Sequence, residues 1–73
     1  MNDDRLLVSY AEVRAVTEKA VLLFGEDARG YDAEDWWPLS CCPDLEDAER
    51  GDGPGEFEAP EWLVREKGWA GVR

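Results

Sequence analysis

Apolar and polar residues alternate with a period of two in the first part of the chain. Val8 and Tyr10 are two residues apart, and so are Val13 and Ala15. This is the spacing of strands that bury one face. Residues 20–24 then form a continuous apolar run with the length of a strand buried in a sheet. The pattern therefore predicts strands over this segment.

The same segment also fits an amphipathic helix. Ser9 and Glu12 have the spacing of a capping box, and Gly25 stands where such a helix would end. Residues at helical spacing form one face: Tyr10, Val13, Thr17, Ala20 and Phe24. The pattern alone leaves two alternatives, which are strands or an N-terminal helix over residues 9–24 packed on a small sheet.

The later segments are easier to assign. Residues 31–38 contain two adjacent tryptophans, which favours a strand. Residues 44–56 are rich in acidic residues and glycine and predict an exposed, flexible acidic loop. Residues 56–58 alternate like a short strand. Pro60 stands at the preferred first position of a helix, and Gly68 stands at its end.

These elements predict an α+β fold, with a small antiparallel β-sheet or partly open barrel and one C-terminal α-helix. We expect residues 1–73 to form a single small domain. A chain of 73 residues buries only about 60% of its unfolded surface, so little core is left to surround a large active-site cavity.

Charge divides the chain into three parts. The formal net charge is −10, and residues 26–58, with twelve acidic and two basic side chains, carry all of it. Residues 1–25 have a net charge of −1 and residues 59–73 of +1. Binding to a phosphate backbone requires Lys and Arg, so this balance argues against direct nucleic-acid binding. A segment of this length with charge of mostly one sign is typical of an interaction surface or a solvated loop.

The sequence shows neither a membrane span nor a secretory signal, and we therefore expect the protein in the host-cell cytoplasm. No run approaches the roughly 20 apolar residues that span a membrane, and the N-terminus is acidic where a secretory signal is basic. In that compartment the two cysteines, Cys41 and Cys42, are expected to stay reduced.

Three blocks of sequence resemble a family of small phage and mobile-element proteins with the pattern TEKAxL…WxPKS…PEWLxxEKG. The matching blocks are residues 17–22, 37–40 and 57–68, with Leu39 where the pattern has lysine. The resemblance implies that the first two blocks are strands of a hairpin and the third a helix, which favours strands before Phe24. In size and charge the chain is also similar to anti-CRISPR proteins, several of which act as DNA mimics.

The residue types present limit the chemistry. The chain has no histidine, which excludes Ser-His-Asp and Cys-His arrangements within one chain. Cys41 and Cys42 lack the further Cys or His ligands that a zinc site needs, and the acidic run that starts at Asp44 does not match a calcium loop. We therefore predict a protein that is not an enzyme and has no metal site and no cofactor.

The four tryptophans divide between core and interface. Trp36 and Trp37 are adjacent, so in a strand they face opposite ways, and the pattern does not decide which one is buried. We expect Trp62 in the core, whereas Trp69 fits the core and an interface equally well.

The predicted function is that of an acidic inhibitor of phage or mobile-element origin, which presents a DNA-mimicking carboxylate surface to a basic groove. The expected partner is a basic nucleic-acid-binding protein or CRISPR effector complex, bound by a monomer or weak dimer. The alternatives are a small β-barrel accessory module of phage replication or recombination, or an antitoxin-like regulator. The predicted partner-binding residues are nine carboxylates and one tryptophan: Asp27, Asp32, Glu34, Asp35, Asp44, Glu46, Asp47, Glu49, Asp52 and Trp36.

Overall fold

A computed structural model describes residues 4–72 of the chain. The elements in order are β1 (Arg5–Tyr10), β2 (Glu12–Val16), β3 (Ala20–Glu26), β4 (Asp32–Pro38), a short 3-10 helix (Pro43–Leu45), β5 (Gly55–Pro60) and α1 (Glu61–Lys67). The predicted α+β class, with a small antiparallel sheet and one C-terminal helix, is confirmed. The five strands form two sheets rather than a closed barrel. The predictions for residues 1–3 and 73, including most of the acidic N-terminus, lie outside the described residues.

The alternative of an N-terminal helix over residues 9–24 is wrong. Buried side chains recur at every second residue just before and within this region, as in Leu6 and Val8 and again in Val21 and Leu23. The face that a helix would have buried includes Thr17, which is exposed in the turn between β2 and β3. In the folded chain these segments follow the two-residue period, which places alternate apolar side chains on one buried face.

Two antiparallel arrangements make up the fold. Strands β2, β3 and β4 form a three-stranded meander with β3 in the middle, and β1 pairs with β5. Strand β1 leads into β2 through Ala11, whose backbone N–H donates to the carbonyl of Phe24 at 2.7 Å. In the β3–β4 hairpin Ala20 is opposite Pro38 and Val21 is opposite Trp37. The resemblance implied a hairpin of these segments but not its register.

The core is built around Trp37, which is fully buried. Its ring makes edge-to-face contacts with Phe57, at 5.0 Å between centroids, and with Trp69, at 5.3 Å. Such aromatic pairs stabilise a core beyond the area they bury. Trp69 is only 3% exposed and so belongs to the core. Trp62, expected in the core, is 60% exposed, and that expectation is wrong.

The short helix explains the position of Trp62. Helix α1 has seven residues and buries only Leu63 and Val64, so its neighbouring positions face solvent. Its boundaries are close to those predicted. Pro60, expected at the first helical position, is the last residue of β5 and precedes the helix without a capping hydrogen bond, and Gly68 ends the helix with a φ of 79°. The backbone N–H of Trp69 donates to the carbonyl of Val64 in a Schellman arrangement, which directs Trp69 back into the core.

The acidic segment 44–56 is attached to the body at several places. Its own Leu45 is buried in the hydrophobic core. Further along, the N–H of Gly51 donates to the carbonyl of Val13 at 2.8 Å, and the N–H of Val13 donates to the carbonyl of Asp52 at 2.7 Å. The segment therefore runs along the free edge of β2. Its flexibility remains a prediction.

Candidate partner-binding surface

The two tryptophans of β4 face opposite sides of the three-stranded sheet. Trp37 points into the core, while Trp36 is 43% exposed on the other side. The side that carries Trp36 is called here the outer face. On β4 the outer face is formed by Asp32, Glu34 and Trp36, and the two-residue period of a strand fixes this set.

The outer face changes from apolar to acidic along the β3–β4 hairpin. The register places Leu22 opposite Trp36, then Phe24 opposite Glu34, and at the end of the hairpin Glu26 opposite Asp32. Side chains directly opposite one another in an antiparallel pair are neighbours. The face therefore presents an apolar patch next to a group of carboxylates.

A cation lies within this face. The register of β2 and β3 shifts between Val13 and Ala15, and Arg14 lies at the shift. The Arg14 guanidinium is 4.4 Å from the centroid of the Phe24 ring, and its Nε is 3.0 Å from Oε1 of Glu12. The guanidinium also lies 4.0 Å, measured from its Nη1, from Oε2 of Glu34. Because these groups are partly exposed, solvent weakens both ion pairs.

Asp35, one of the predicted partner-binding residues, serves the fold. It points to the opposite side of β4, where its Oδ2 accepts a hydrogen bond from Nε1 of Trp69 at 2.8 Å. The bond joins β4 to the segment that follows α1. The same bond gives the indole N–H of the buried Trp69 ring an acceptor. By contrast, Nε1 of Trp37 has no hydrogen-bond partner among the described residues.

Asp27 organises the turn between β3 and β4. Its Oδ1 accepts hydrogen bonds from the backbone N–H groups of Arg29, at 2.8 Å, and of Tyr31, at 3.0 Å. These bonds stabilise the charged carboxylate. The bond from Tyr31 contributes most to holding the pKa of Asp27 below its ordinary value, with smaller contributions from Arg29.

The acidic segment contributes carboxylates of two kinds. Asp44 accepts a hydrogen bond from the backbone N–H of Glu58 at 3.0 Å, and Asp52 accepts one from the N–H of Glu49 at 2.8 Å. Both are acceptors that hold the chain in place. The remaining predicted carboxylates of this segment are exposed: Glu46, Asp47 and Glu49.

The predicted residues are consequently divided between two edges of the three-stranded sheet. Asp32, Glu34 and Trp36 lie together on β4, which is one edge, while Asp52 and its neighbours follow β2, which is the other. Leu22 and Phe24 are further members of the outer face, which the sequence pattern did not indicate. Their run looked continuously buried, whereas alternate members point outward and are half-buried.

The cysteines are both free thiols. Cys42 is buried, and burial, with a smaller effect of the neighbouring Cys41, raises its pKa to about 11. A thiol of this kind is a poor nucleophile at neutral pH. Among residues 4–72 no group of three or more metal-ligating side chains could hold a metal ion. No helix in the same range is long and apolar enough to cross a membrane.

Comparison of the chain with protein-family models, with curated proteins and with solved structures finds no match. The resemblance to phage and anti-CRISPR proteins therefore stays a prediction.

Proposed function

We propose that this chain is a non-enzymatic binding protein that docks its outer face on a basic, nucleic-acid-binding partner and so prevents nucleic acid from binding there. The observation that carries the proposal is the arrangement on β4, where an exposed Trp36 follows Asp32 and Glu34 on one face of one strand. Carboxylates and an exposed aromatic ring on a paired strand form a surface with a fixed geometry.

The two parts of this surface have different physical roles. A net charge of −10 creates a long-range field that attracts a cleft lined by Lys and Arg and speeds the encounter. Charge alone gives modest affinity, because partly exposed ion pairs contribute little. The Trp36 ring supplies apolar contact, and tryptophan is enriched among the residues that dominate interface energies.

The outer face does not favour the alternative of a nucleic-acid-binding accessory module. Sheet surfaces that stack bases combine aromatic rings with a positively charged groove. Here the aromatic ring lies beside carboxylates, and the Arg14 cation is already paired with Glu12. An antitoxin-like regulator would use the same surface and would differ only in its partner.

The similarity in size and charge to DNA-mimicking anti-CRISPR proteins makes a CRISPR effector complex the first partner to test. The protein is added to a purified complex before its target DNA, and DNA binding and co-elution are measured at several salt concentrations. We expect loss of DNA binding that weakens as salt rises, because salt screens the attraction.

Matched variants make this test specific to the outer face. Glu34→Lys and Trp36→Ala should each weaken inhibition by tenfold or more if these side chains lie in the contact centre, where truncations cost about 2 kcal/mol. Glu66→Lys makes the same charge change at an exposed position on α1 and should inhibit like the wild type. If Glu34→Lys and Glu66→Lys inhibit equally, the outer face is not the docking surface.

A further inference from the structure

A groove opens beside the acidic end of the outer face. It has a volume of about 470 Å³ and lies between β1, the end of β3 and the segment 70–72. Its walls are largely apolar, with Leu7, Phe24 and Val72 among the lining residues. Its size is in the range of cavities that hold small ligands or a few residues of a peptide.

One wall of the groove includes a single residue of a strand edge that has no backbone partner. Leu7 exchanges two backbone hydrogen bonds with Val72, at 2.6 and 2.9 Å, on the side of β1 away from β5. Backbone direction alternates along a strand, so the N–H and C=O of Ser9 point to this same side. The next bond along this side is from Ala11 to Phe24. Between the two, Ser9 faces the groove with no backbone partner there among the described residues.

The other wall carries uncompensated negative charge. Glu26 and Asp32, both lining the groove, are directly opposite each other in the β3–β4 register. Like charges in this position destabilise a sheet. Neither carboxylate has an ion pair within residues 4–72. The adjacent Asp27 does, since its Oδ2 lies 3.8 Å from Nη2 of Arg29. No Lys or Arg among the described residues lines the groove.

From these observations we infer that the groove binds an extended basic segment of a partner protein, whose backbone pairs with Ser9 and whose arginine or lysine side chain lies between Glu26 and Asp32. The free N–H and C=O of Ser9 can pair with one residue of an extended peptide, as backbone groups do in strand addition, and side-chain contacts then supply specificity. The cation would relieve the repulsion between the two carboxylates, and its aliphatic stem suits the apolar walls. A metal ion is a poorer occupant, because the described residues offer no metal-binding group.

This inference rests on the proposed function only for the identity of the protein that supplies the segment. The groove can be tested without that protein. The probe is a blocked tripeptide, acetyl-Val-Arg-Val-amide, titrated into the ¹⁵N-labelled protein and followed by NMR. The reference peptide replaces arginine with citrulline, which has nearly the same shape and no charge.

We expect the arginine peptide to shift the amide signals of Ser9, Glu26 and Asp32 and to bind at least threefold more tightly than the citrulline peptide. Glu26→Gln and Asp32→Asn should each weaken its binding about threefold to fivefold, as for the loss of a partly exposed ion pair. Both variants should melt at or above the wild-type temperature, since each removes a like-charge contact. The control Glu66→Gln should bind the peptide like the wild type.

Equal binding of the two peptides, or unchanged binding by both groove variants, would overturn the inference. So would shifts confined to residues away from Ser9. Glu34 does not line the groove, so Glu34→Lys reports on the proposed function alone. Peptide binding that depends on Glu26, together with DNA competition unaffected by Glu34→Lys, would support the groove and reject the outer-face docking.

Discussion

Replacing Asp35 by alanine is expected to destabilise the fold, although the sequence marks Asp35 only as one more surface carboxylate. The substitution removes the acceptor of the hydrogen bond from Nε1 of Trp69. The Trp69 ring is 3% exposed and contacts the central Trp37 ring. The indole N–H would therefore lose its partner at the margin of the core.

The size of the effect follows from the burial of the two partners. A buried donor left without a partner costs about 1–3 kcal/mol, and bonds to a charged group lie in the upper part of that range. Asp35 is only half-buried, so water can reach the vacated site, and we expect a loss of about 1.5–2 kcal/mol. For a domain of this size that corresponds to a fall in Tm of roughly 6–16 °C.

Urea denaturation followed by tryptophan fluorescence and by circular dichroism measures this loss. Glu34→Ala is the matched control, because it removes the neighbouring carboxylate on the outer face and should change stability by no more than about 0.5 kcal/mol. Asp35→Asn keeps a neutral acceptor oxygen and should fall between the two. Equal stability of the Asp35→Ala and Glu34→Ala variants would refute the assigned role of Asp35.

The result also decides how docking should be tested. Charge reversal of Glu34 and Asp35 together would mix a loss of docking with a loss of fold. Glu34→Lys alone changes the outer face, because Asp35 faces the other side of β4.

Two further predictions concern titratable groups. The pKa of Asp27 lies below its ordinary value of 3.8. Its carboxylate therefore stabilises the folded state fully above about pH 4, and this contribution is lost as the pH falls through the lowered pKa. An NMR titration should show Asp27 ionising below pH 3.8, and Asp27→Ala should flatten the acid limb of the stability profile; an unshifted titration would contradict the turn geometry. The second prediction concerns the cysteines. A thiol reagent at pH 8 should modify the half-buried Cys41 and spare the buried Cys42, whose pKa is raised from 9.0 to about 11. Stability should decline between pH 9 and 11 as the unfolded state loses that proton first, and rapid labelling of both thiols in the native protein would be inconsistent with this burial.

The strands and the helix could be predicted because local pattern and tertiary packing agree there. Pro60 and Gly68 mark the helix by backbone restrictions that do not depend on the rest of the fold. The first segment was ambiguous because Ser9, Glu12 and Gly25 also satisfy the local rules for a helix. Only the pairing of β2 with β3 and of β1 with β5 resolves it, and both pairings depend on contacts that a local pattern does not encode.

The roles of individual carboxylates could not be predicted for a related reason. An aspartate that holds a turn and one that faces a partner have the same residue type and a similar polar neighbourhood in sequence. Asp27 and Asp52 accept bonds from backbone groups within four residues, so a turn motif gives a partial signal. Asp35 and Asp44 accept bonds from residues 34 and 14 positions away, which only the folded chain brings close.

The carboxylates of this chain fall into two structural groups, and this division supports the proposal of a localised docking surface. Four of the nine proposed carboxylates accept hydrogen bonds that hold turns, the loop or the core: Asp27, Asp35, Asp44 and Asp52. A basic partner gains less from carboxylates already held by internal hydrogen bonds. Asp32 and Glu34 instead project from a paired strand beside Trp36, so their backbone is already ordered before a partner binds. Glu34 makes only a 4.0 Å contact with the partly exposed Arg14. A uniformly acidic surface would respond similarly to charge reversal at any exposed position, whereas the proposed docking surface predicts that charge reversal at Glu34 and at Glu66 has different effects on inhibition.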